Sequence, residues 1–267
     1  MDSKGLSPIV SVTVLASSSS GNCTLICSGR TRLLVDAGLS RKETFERIKA
    51  LGVEPASLTA ILITHEHSDH IAGLPVLAKK RNGVQLPIYI SQLTAPAVPW
   101  GDCEPILETF QAGASFTIGD IDVTSFTIPH DAADPVGYSF RTEGIKISIA
   151  TDLGYLPDSV RVHLRGSDLL MLESNHDLEM LKVGPYPWAI KQRVMSRVGH
   201  LSNLVMSDYL MQDLDSCTAN VVLGHLSEQN NHPEIVRMIA SQTLEERGIG
   251  AQITIAEQKA PSAVFRY

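Results

Sequence analysis

Two hydrophobic periods divide this chain. Val10, Val12 and Val14 alternate with Ser11 and Thr13, the two-residue period of a half-buried strand. The same alternation, or an apolar run bounded by turn residues, predicts strands over 9–16, 23–28, 32–36, 59–64, 87–90, 115–118, 121–128, 136–142, 146–151, 168–173, 220–224 and 252–257. Helical patterning predicts helices over 41–51, 74–80, 155–165, 187–197, 202–213 and 233–246. Ser40 with Glu43 has the spacing of a capping box, and Pro233 after Asn231-His232 reads as a first-turn proline. Residues 91–113, interrupted by Pro96, Pro99, Gly101, Pro105 and Gly113, read as an irregular surface excursion.

No Pro-, Gly- or Ser-rich linker separates autonomous halves, and the Ser17–Ser20 run lies between strands as a loop. In each half strands lead and helices follow. That order favours an α/β arrangement of two mixed sheets packed face to face with helices outside. The expectation is one domain over 1–267, built of two similar halves. At 43% hydrophobic and 19% charged residues, the composition supplies an ordinary globular core.

A net charge of -7 advertises no basic nucleic-acid surface, although it does not exclude such a substrate. The four cysteines form no C-x-x-C pair; Cys23 and Cys27 read as small buried residues on one side of a strand. This usage fits a reducing cytoplasm. Lys4, then Ile9 to Ala16, then serines superficially imitates a secretory signal, but the alternation of valines belongs to a strand. No segment has the length to span a bilayer. The protein is expected to be soluble and cytoplasmic, with no membrane partner.

The chemistry concentrates in His65-Glu66-His67-Ser68-Asp69-His70, directly after the apolar run Ala60-Ile61-Leu62-Ile63-Thr64. Alternate residues leaving a strand aim His65 and His67 at one point, and Asp69 and His70 on the next turn aim at a second. Imidazole with carboxylate suits Zn²⁺, Mn²⁺ or Fe, whereas Ca²⁺ prefers oxygen alone. Further ligands are sought at other strand ends. His130 follows 123–128, Asp152 follows 146–151 and His225 follows 221–224.

His65-x-His67-x-Asp69-His70, followed by His130, Asp152 and His225, resembles the metallo-β-lactamase fold of dinuclear hydrolases over essentially the whole chain. The resemblance implies an αββα sandwich with its site at one edge. It implies two divalent ions per chain, one on His65, His67 and His130, the other on Asp69, His70 and His225, with Asp152 bridging. Water activated between the ions is the implied nucleophile.

The reaction is narrowed by Glu173-Ser174-Asn175-His176-Asp177 and Ser196-Arg197-Val198-Gly199-His200, which look similar to paired Glu and His segments of phosphodiesterases of this fold. That similarity implies His200 as the acid protonating the leaving oxygen, oriented by Glu173, and the catalytic set is Asp69, Glu173 and His200. An alternative for Gly199-His200 is capping of the helix near Ser202. Ser19, Asn22 and His176 are candidate substrate contacts, with loop anchoring as the alternative for His176. His163 is expected on a solvent-facing helix side and His232 at a helix start.

The strings Leu15–Thr24, Asp36–Ser40, His130–Tyr138, Ala150–Gly154, Glu173–Asp177 and Gly224–Ser227 are also similar to the YycJ/WalJ-type subfamily. That subfamily implies 5′-to-3′ exonuclease action on double-stranded DNA. Arg41, Lys42 and Arg47, or Lys182, Lys191, Arg193 and Arg197, are candidates for a basic rim, or else ordinary solvated faces. The separation of only 22 positions from His130 to Asp152 leaves no room for a long substrate-gripping arm. The rival readings are a hydrolase of small cyclic or linear phosphodiesters and a non-catalytic regulatory scaffold. Lactamase or thioesterase chemistry has no need of the Glu173 and His200 segments. Metal identity, end polarity and oligomeric state stay open.

Overall fold

The computed structural model describes residues 10–80, 83 and 85–267. Position 9 of the first expected strand and Lys4 of the signal-like segment lie outside the described residues. Two seven-stranded sheets form the centre. The first holds β1 (Ser11–Ala16), β2 (Cys23–Cys27), β3 (Arg32–Val35), β4 (Ala60–Leu62), β5 (Pro87–Ser91) and β6 (Ile106–Phe110) in that order. The second runs through β7 (Ser115–Ile118), β8 (Ile121–Thr127), β9 (Val136–Thr142), β10 (Ile145–Ala150), β11 (Leu169–Glu173), β12 (Asn220–Gly224) and β13 (Gln252–Ile255). A short β14 (Phe265–Arg266) closes the first sheet beside β1. The helices are α1 (Arg41–Ala50), α2 (Ser68–Ile71), α3 (Leu74–Leu77), α4 (Asp158–Leu164), α5 (Leu178–Val183), α6 (Trp188–Val194), α7 (Asn203–Gln212) and α8 (Pro233–Arg247).

Strand alternation explains the layers. Leu33 and Val35 of β3, with Ala60 and Leu62 of β4, meet Tyr138, Phe140, Ile147, Ile149, Leu169 and Met171 in a core between the sheets. The intervening Leu34 and Ile61 join Ile48 and Leu74 beneath α1 and α3. Across the molecule Leu170, Leu172, Val221 and Leu223 pack with Val160, Met206, Leu210, Val236 and Ala240 of α4, α7 and α8. The central strands are therefore buried on both faces, and their sequences read as near-continuous apolar runs for that reason. This is the expected αββα sandwich.

Several expectations required correction. The irregular stretch 91–113 contains β6, which pairs in parallel with β5 from Pro87↔Ile106 to Ser91↔Phe110. As an edge strand with four exposed residues before Phe110, it lacks the alternation that marks the others. His163 is half-buried, its ring stacked on Phe126 with centroids 4.7 Å apart, rather than solvent-facing. His232 lies at a helix start as expected: it caps α8, its Nδ1 accepting from the Glu234 N–H. At α1, Ser40 Oγ accepts from the Glu43 N–H at 3.2 Å, while the Glu43 carboxylate turns to Arg47 instead of closing a capping box.

The strands that end at the functional edge run in one direction. β3, β4, β5 and β6 are mutually parallel, as are β10, β11, β12 and β13. Segments leaving β3, β4, β10, β11 and β12 consequently meet at the carboxyl edge of the sandwich, where α/β sheets bind their ligands. Gly38 fixes the approach of two of them. A Cβ there would lie 1.8 Å from the Asp69 carbonyl oxygen and 2.5 Å from the Asn22 nitrogen, both backbone atoms. The segments are laced by Asn22 N–H to Asp69 O at 2.8 Å and Ala37 N–H to His70 O at 2.7 Å. Gly38→Ala is therefore expected to cost about 3 kcal/mol or more by overpacking, and to reduce metal content as α2 is displaced. Thermal melts and metal analysis check this; an unchanged melting temperature would contradict it.

Candidate metal centre

Three site residues adopt left-handed backbone conformations, Asp36 at φ 62°, Asp152 at φ 60° and His225 at φ 55°. Each directly follows, or lies within two residues of, the last position of a central strand. For side chains with a Cβ this conformation costs on the order of 1–3 kcal/mol, and such strain collects where a side chain must be turned into a site.

The structure brings the seven expected ligands together. Ligand atoms of His65, His67 and His130 form one cluster, and those of Asp69, His70, Asp152 and His225 form a second, each within 4.8 Å. His130 Nε2 stands 3.2 Å from His67 Nδ1. In the second cluster, His70 Nε2 lies 3.2 Å from Asp152 Oδ2, and His225 Nε2 lies 3.1 Å from Asp69 Oδ2 and 3.2 Å from Asp152 Oδ1. His130 Nε2 is 4.0 Å from Asp152 Oδ1, so Asp152 stands between the clusters.

These groups fit divalent cations. Ligands at 2.0–2.1 Å around a tetrahedral Zn²⁺ stand roughly 3.4 Å from one another, close to the spacing seen. His65 Nε2 and Asp152 Oδ2 are buried and make no hydrogen bond, an arrangement that a cation would satisfy. Asp152, Glu173, His200 and His225 form a third close group. Its Glu173 is already saturated. Oε1 accepts from His200 Nδ1 at 2.8 Å and His225 Nδ1 at 2.9 Å, and Oε2 accepts from the N–H groups of Leu153 and Leu201 at 2.9 and 3.1 Å. Glu173 orients two imidazoles and has no lone pair left for an ion.

Supporting contacts extend outward. Asp36 Oδ2 accepts from His70 Nδ1 at 2.7 Å, and Thr64 Oγ1 lies 3.0 Å from His65 Nδ1 while donating to Asp36. Such partners fix tautomer and ring orientation. Asp36→Asn is expected to weaken metal affinity roughly 10–100-fold. Competition against a chelator measures it, and an unaltered affinity would rule out this role. Asp36 and Thr64 had no role assigned from sequence; their only signal is position at the ends of apolar strands, the signal that marked His130, Asp152 and His225.

The other expected contacts are distributed unevenly. Ser19 lines the cleft of about 260 Å³ over the cluster, with His67, Asp69, Asp152, Arg193, His200 and His225. Asn22, expected at substrate, is buried, and its amide donates to Asp69 Oδ2 at 3.1 Å and to Ser18 O at 2.9 Å. It holds a ligand. His176 is buried and does not line the cleft. Capping of α7 falls to Ser202, whose Oγ accepts from Val205 N–H, and not to His200. In the expected basic rim, Arg47 bonds the backbone of Leu15 and Gln258, and Lys191 is buried with Nζ on Lys182 O. Arg193 remains at the cleft, paired with Asp131 at 2.5 Å.

The two clusters differ in protonation. Burial pushes His65 and His130 below the ordinary imidazole value, leaving them neutral and ready to ligate. Burial also opposes charge on His70 and His225, but neighbouring carboxylates outweigh it. Asp36 and Asp152 raise His70 well above its usual value, and Asp152, Asp69 and Glu173 lift His225 to about 10. A metal binds neutral imidazole, so filling the second cluster at neutral pH must expel protons, and its affinity must rise with pH until His225 titrates near 10. Calorimetry in buffers of different ionisation enthalpy should show net proton release; none at pH 7 would contradict this assignment.

Residues 31–225 match the β-lactamase superfamily domain. The chain is 41% identical over 249 residues to exodeoxyribonuclease YycJ of Bacillus anthracis, covering 89% of this chain and 90% of that one. It is 37% identical over 245 residues to exodeoxyribonuclease WalJ of Streptococcus pneumoniae, covering 90% of each. The metallo-β-lactamase fold protein YhfI of Bacillus subtilis superposes with a TM-score of 0.73 at 20% identity, over 97% of this chain and 99% of its own, and so shares the fold. Sheet topology, a His- and Asp-rich edge and similarity along nearly the full length agree: the chain belongs to the β-lactamase superfamily, among its YycJ/WalJ-type members with the metallo-β-lactamase fold.

Proposed function

We propose that this protein is a dinuclear metal-dependent exodeoxyribonuclease that removes nucleotides from double-stranded DNA in the 5′-to-3′ direction. His65, His67 and His130 would hold one Zn²⁺ or Mn²⁺ (or Fe) ion and Asp69, His70 and His225 the other, with Asp152 between. When bound, the ions supply an activated water and neutralise charge on a phosphodiester. The observation that carries the choice of phosphodiester chemistry is His200, which lines the cleft beside Asp152 with its Nδ1 held by the buried Glu173. Cleavage expels an alkoxide, which needs a proton. Burial lowers the His200 imidazole, but Glu173 more than compensates and raises it, so the protonated form persists to higher pH. With Nδ1 committed to Glu173, Nε2 is the nitrogen left to donate. The relatives named exodeoxyribonuclease, similar over nine-tenths of the chain, support DNA as the substrate.

No helix among the described residues is long and apolar enough to cross a membrane. The test is degradation of duplex DNA labelled separately at its 5′ and 3′ ends, with Mn²⁺ or Zn²⁺ supplied. Mononucleotide release from the 5′ end is expected. Turnover of small diesters with no action on either duplex would select the small-phosphodiester reading instead.

A further inference from the structure

The serine loop between β1 and β2 reaches the second cluster from behind, through a residue that is buried rather than presented to the cleft. Ser17 is 2% exposed, and its Oγ accepts from the His225 N–H at 2.8 Å. The same hydroxyl donates to Asn22 Oδ1 at 3.3 Å, and the Asn22 amide donates in turn to Asp69 Oδ2 at 3.1 Å. One hydroxyl therefore joins Asp69 and His225, ligands 156 positions apart whose own atoms stand 3.1 Å from each other. On the other side of His225, the buried Asn175 donates from Nδ2 to the His225 carbonyl at 2.8 Å.

The His225 backbone needs this grip. At φ 55° it occupies a region that residues with a Cβ seldom visit, and such a conformation persists only where its surroundings enforce it. Glu173 holds the imidazole at Nδ1, whereas Ser17 and Asn175 hold the two peptide groups that flank the Cα. Released from them, the chain would relax to negative φ, and the Cβ would carry the ring away from the cluster. Gly224 is an independent sign of the same contact. A Cβ there would lie 2.7 Å from Ser17 Oγ, so any side chain at 224 would drive the hydroxyl off the His225 N–H. No positive φ calls for glycine at this position; the close approach of Ser17 does.

We propose that Ser17 is a positioning residue for the second metal: it fixes His225 in its left-handed conformation and, through Asn22, sets its distance from Asp69, with Asn175 closing the opposite side. This rests on the two-metal reading and is independent of the substrate. Ser17 and Asn175 give no ligand atom to an ion. They raise its affinity by holding two ligands where it binds, as outer hydrogen-bond partners do. The first cluster takes its support elsewhere, His65 beside Thr64 and His130 on Gly199 O, so the effect is confined to one of the two ions.

Metal-stripped protein titrated with Zn²⁺ against a competing chelator tests this. In Ser17→Ala the second equivalent should bind roughly 10–100-fold more weakly, and the first within about three-fold of its affinity in the unmodified protein. Asn175→Ala, and Gly224→Ala, which keeps the hydroxyl but displaces it, should weaken the same equivalent; three variants reach the grip separately, so misfolding of one leaves two readings. Asp69→Ala removes the second site, and adding Ser17→Ala to it should leave binding of the remaining ion unchanged. Two equivalents held as tightly in Ser17→Ala as in the unmodified protein would overturn the inference and leave the two-metal reading standing. Equal weakening of both equivalents, or a further loss on adding Ser17→Ala to Asp69→Ala, would give Ser17 a general structural part and overturn it too. If the unmodified protein bound fewer than two ions, the two-metal reading would fall, and this inference with it.

Discussion

His200→Ala should lower kcat on DNA by roughly 10²–10⁴-fold, the usual contribution of a positioned general acid, while metal content stays at the level of the unmodified protein. The imidazole is held by Glu173 at 2.8 Å and stands 3.7 Å from Asp152, so it serves the cluster without belonging to either set of three ligands around Asp152. A diester with a p-nitrophenolate leaving group separates the roles. That anion departs without a proton, so the same substitution should cost less than about ten-fold on it. Equal losses on both substrates, or a parallel loss of metal, would show that His200 supports the site structurally instead of donating a proton.

Asp152→Ala should have the largest effect. Its carboxylate, 2% exposed, lies within 3.2 Å of both His70 and His225, and those rings and Asp152 hold each other charged. Substitutions of outer partners alone cost roughly 10–100-fold, so removing a group shared by both clusters should cost at least about 10³-fold in activity. Metal content should fall to one ion per chain or fewer. Retention of two ions by the variant would remove Asp152 from its bridging position.

The clustering of the candidate ligands was legible because His130, Asp152 and His225 follow strands whose apolar runs are unmistakable, and His65–His70 follows another. Once the His65–His70 turn suggested a metal, the other strand ends were the places to search. What surrounds those ligands was not legible. Asp36 reaches His70 across 34 positions and Asn22 reaches Asp69 across 47, and no local pattern announces either contact. From sequence alone Asn22 is a candidate substrate contact, whereas its amide is spent inside the protein on Ser18 O and Asp69. β6 escaped for a different reason: an exposed edge strand lacks a buried face, and its partner β5 lies well before it in the chain. The basic residues near α6 show the limit of reading charge alone, since burial turns Lys191 inward while Arg193 stays at the cleft.

DNA hydrolysis by this protein should depend on a pair of metals at this edge. The direct measurement titrates metal-stripped protein with Mn²⁺ or Zn²⁺ and follows bound metal and release of 5′-terminal nucleotides in the same samples. Activity should emerge as the second equivalent binds and stay absent in Asp152→Ala at any metal concentration. Full activity with no metal or one equivalent, or none with two bound, would contradict the account.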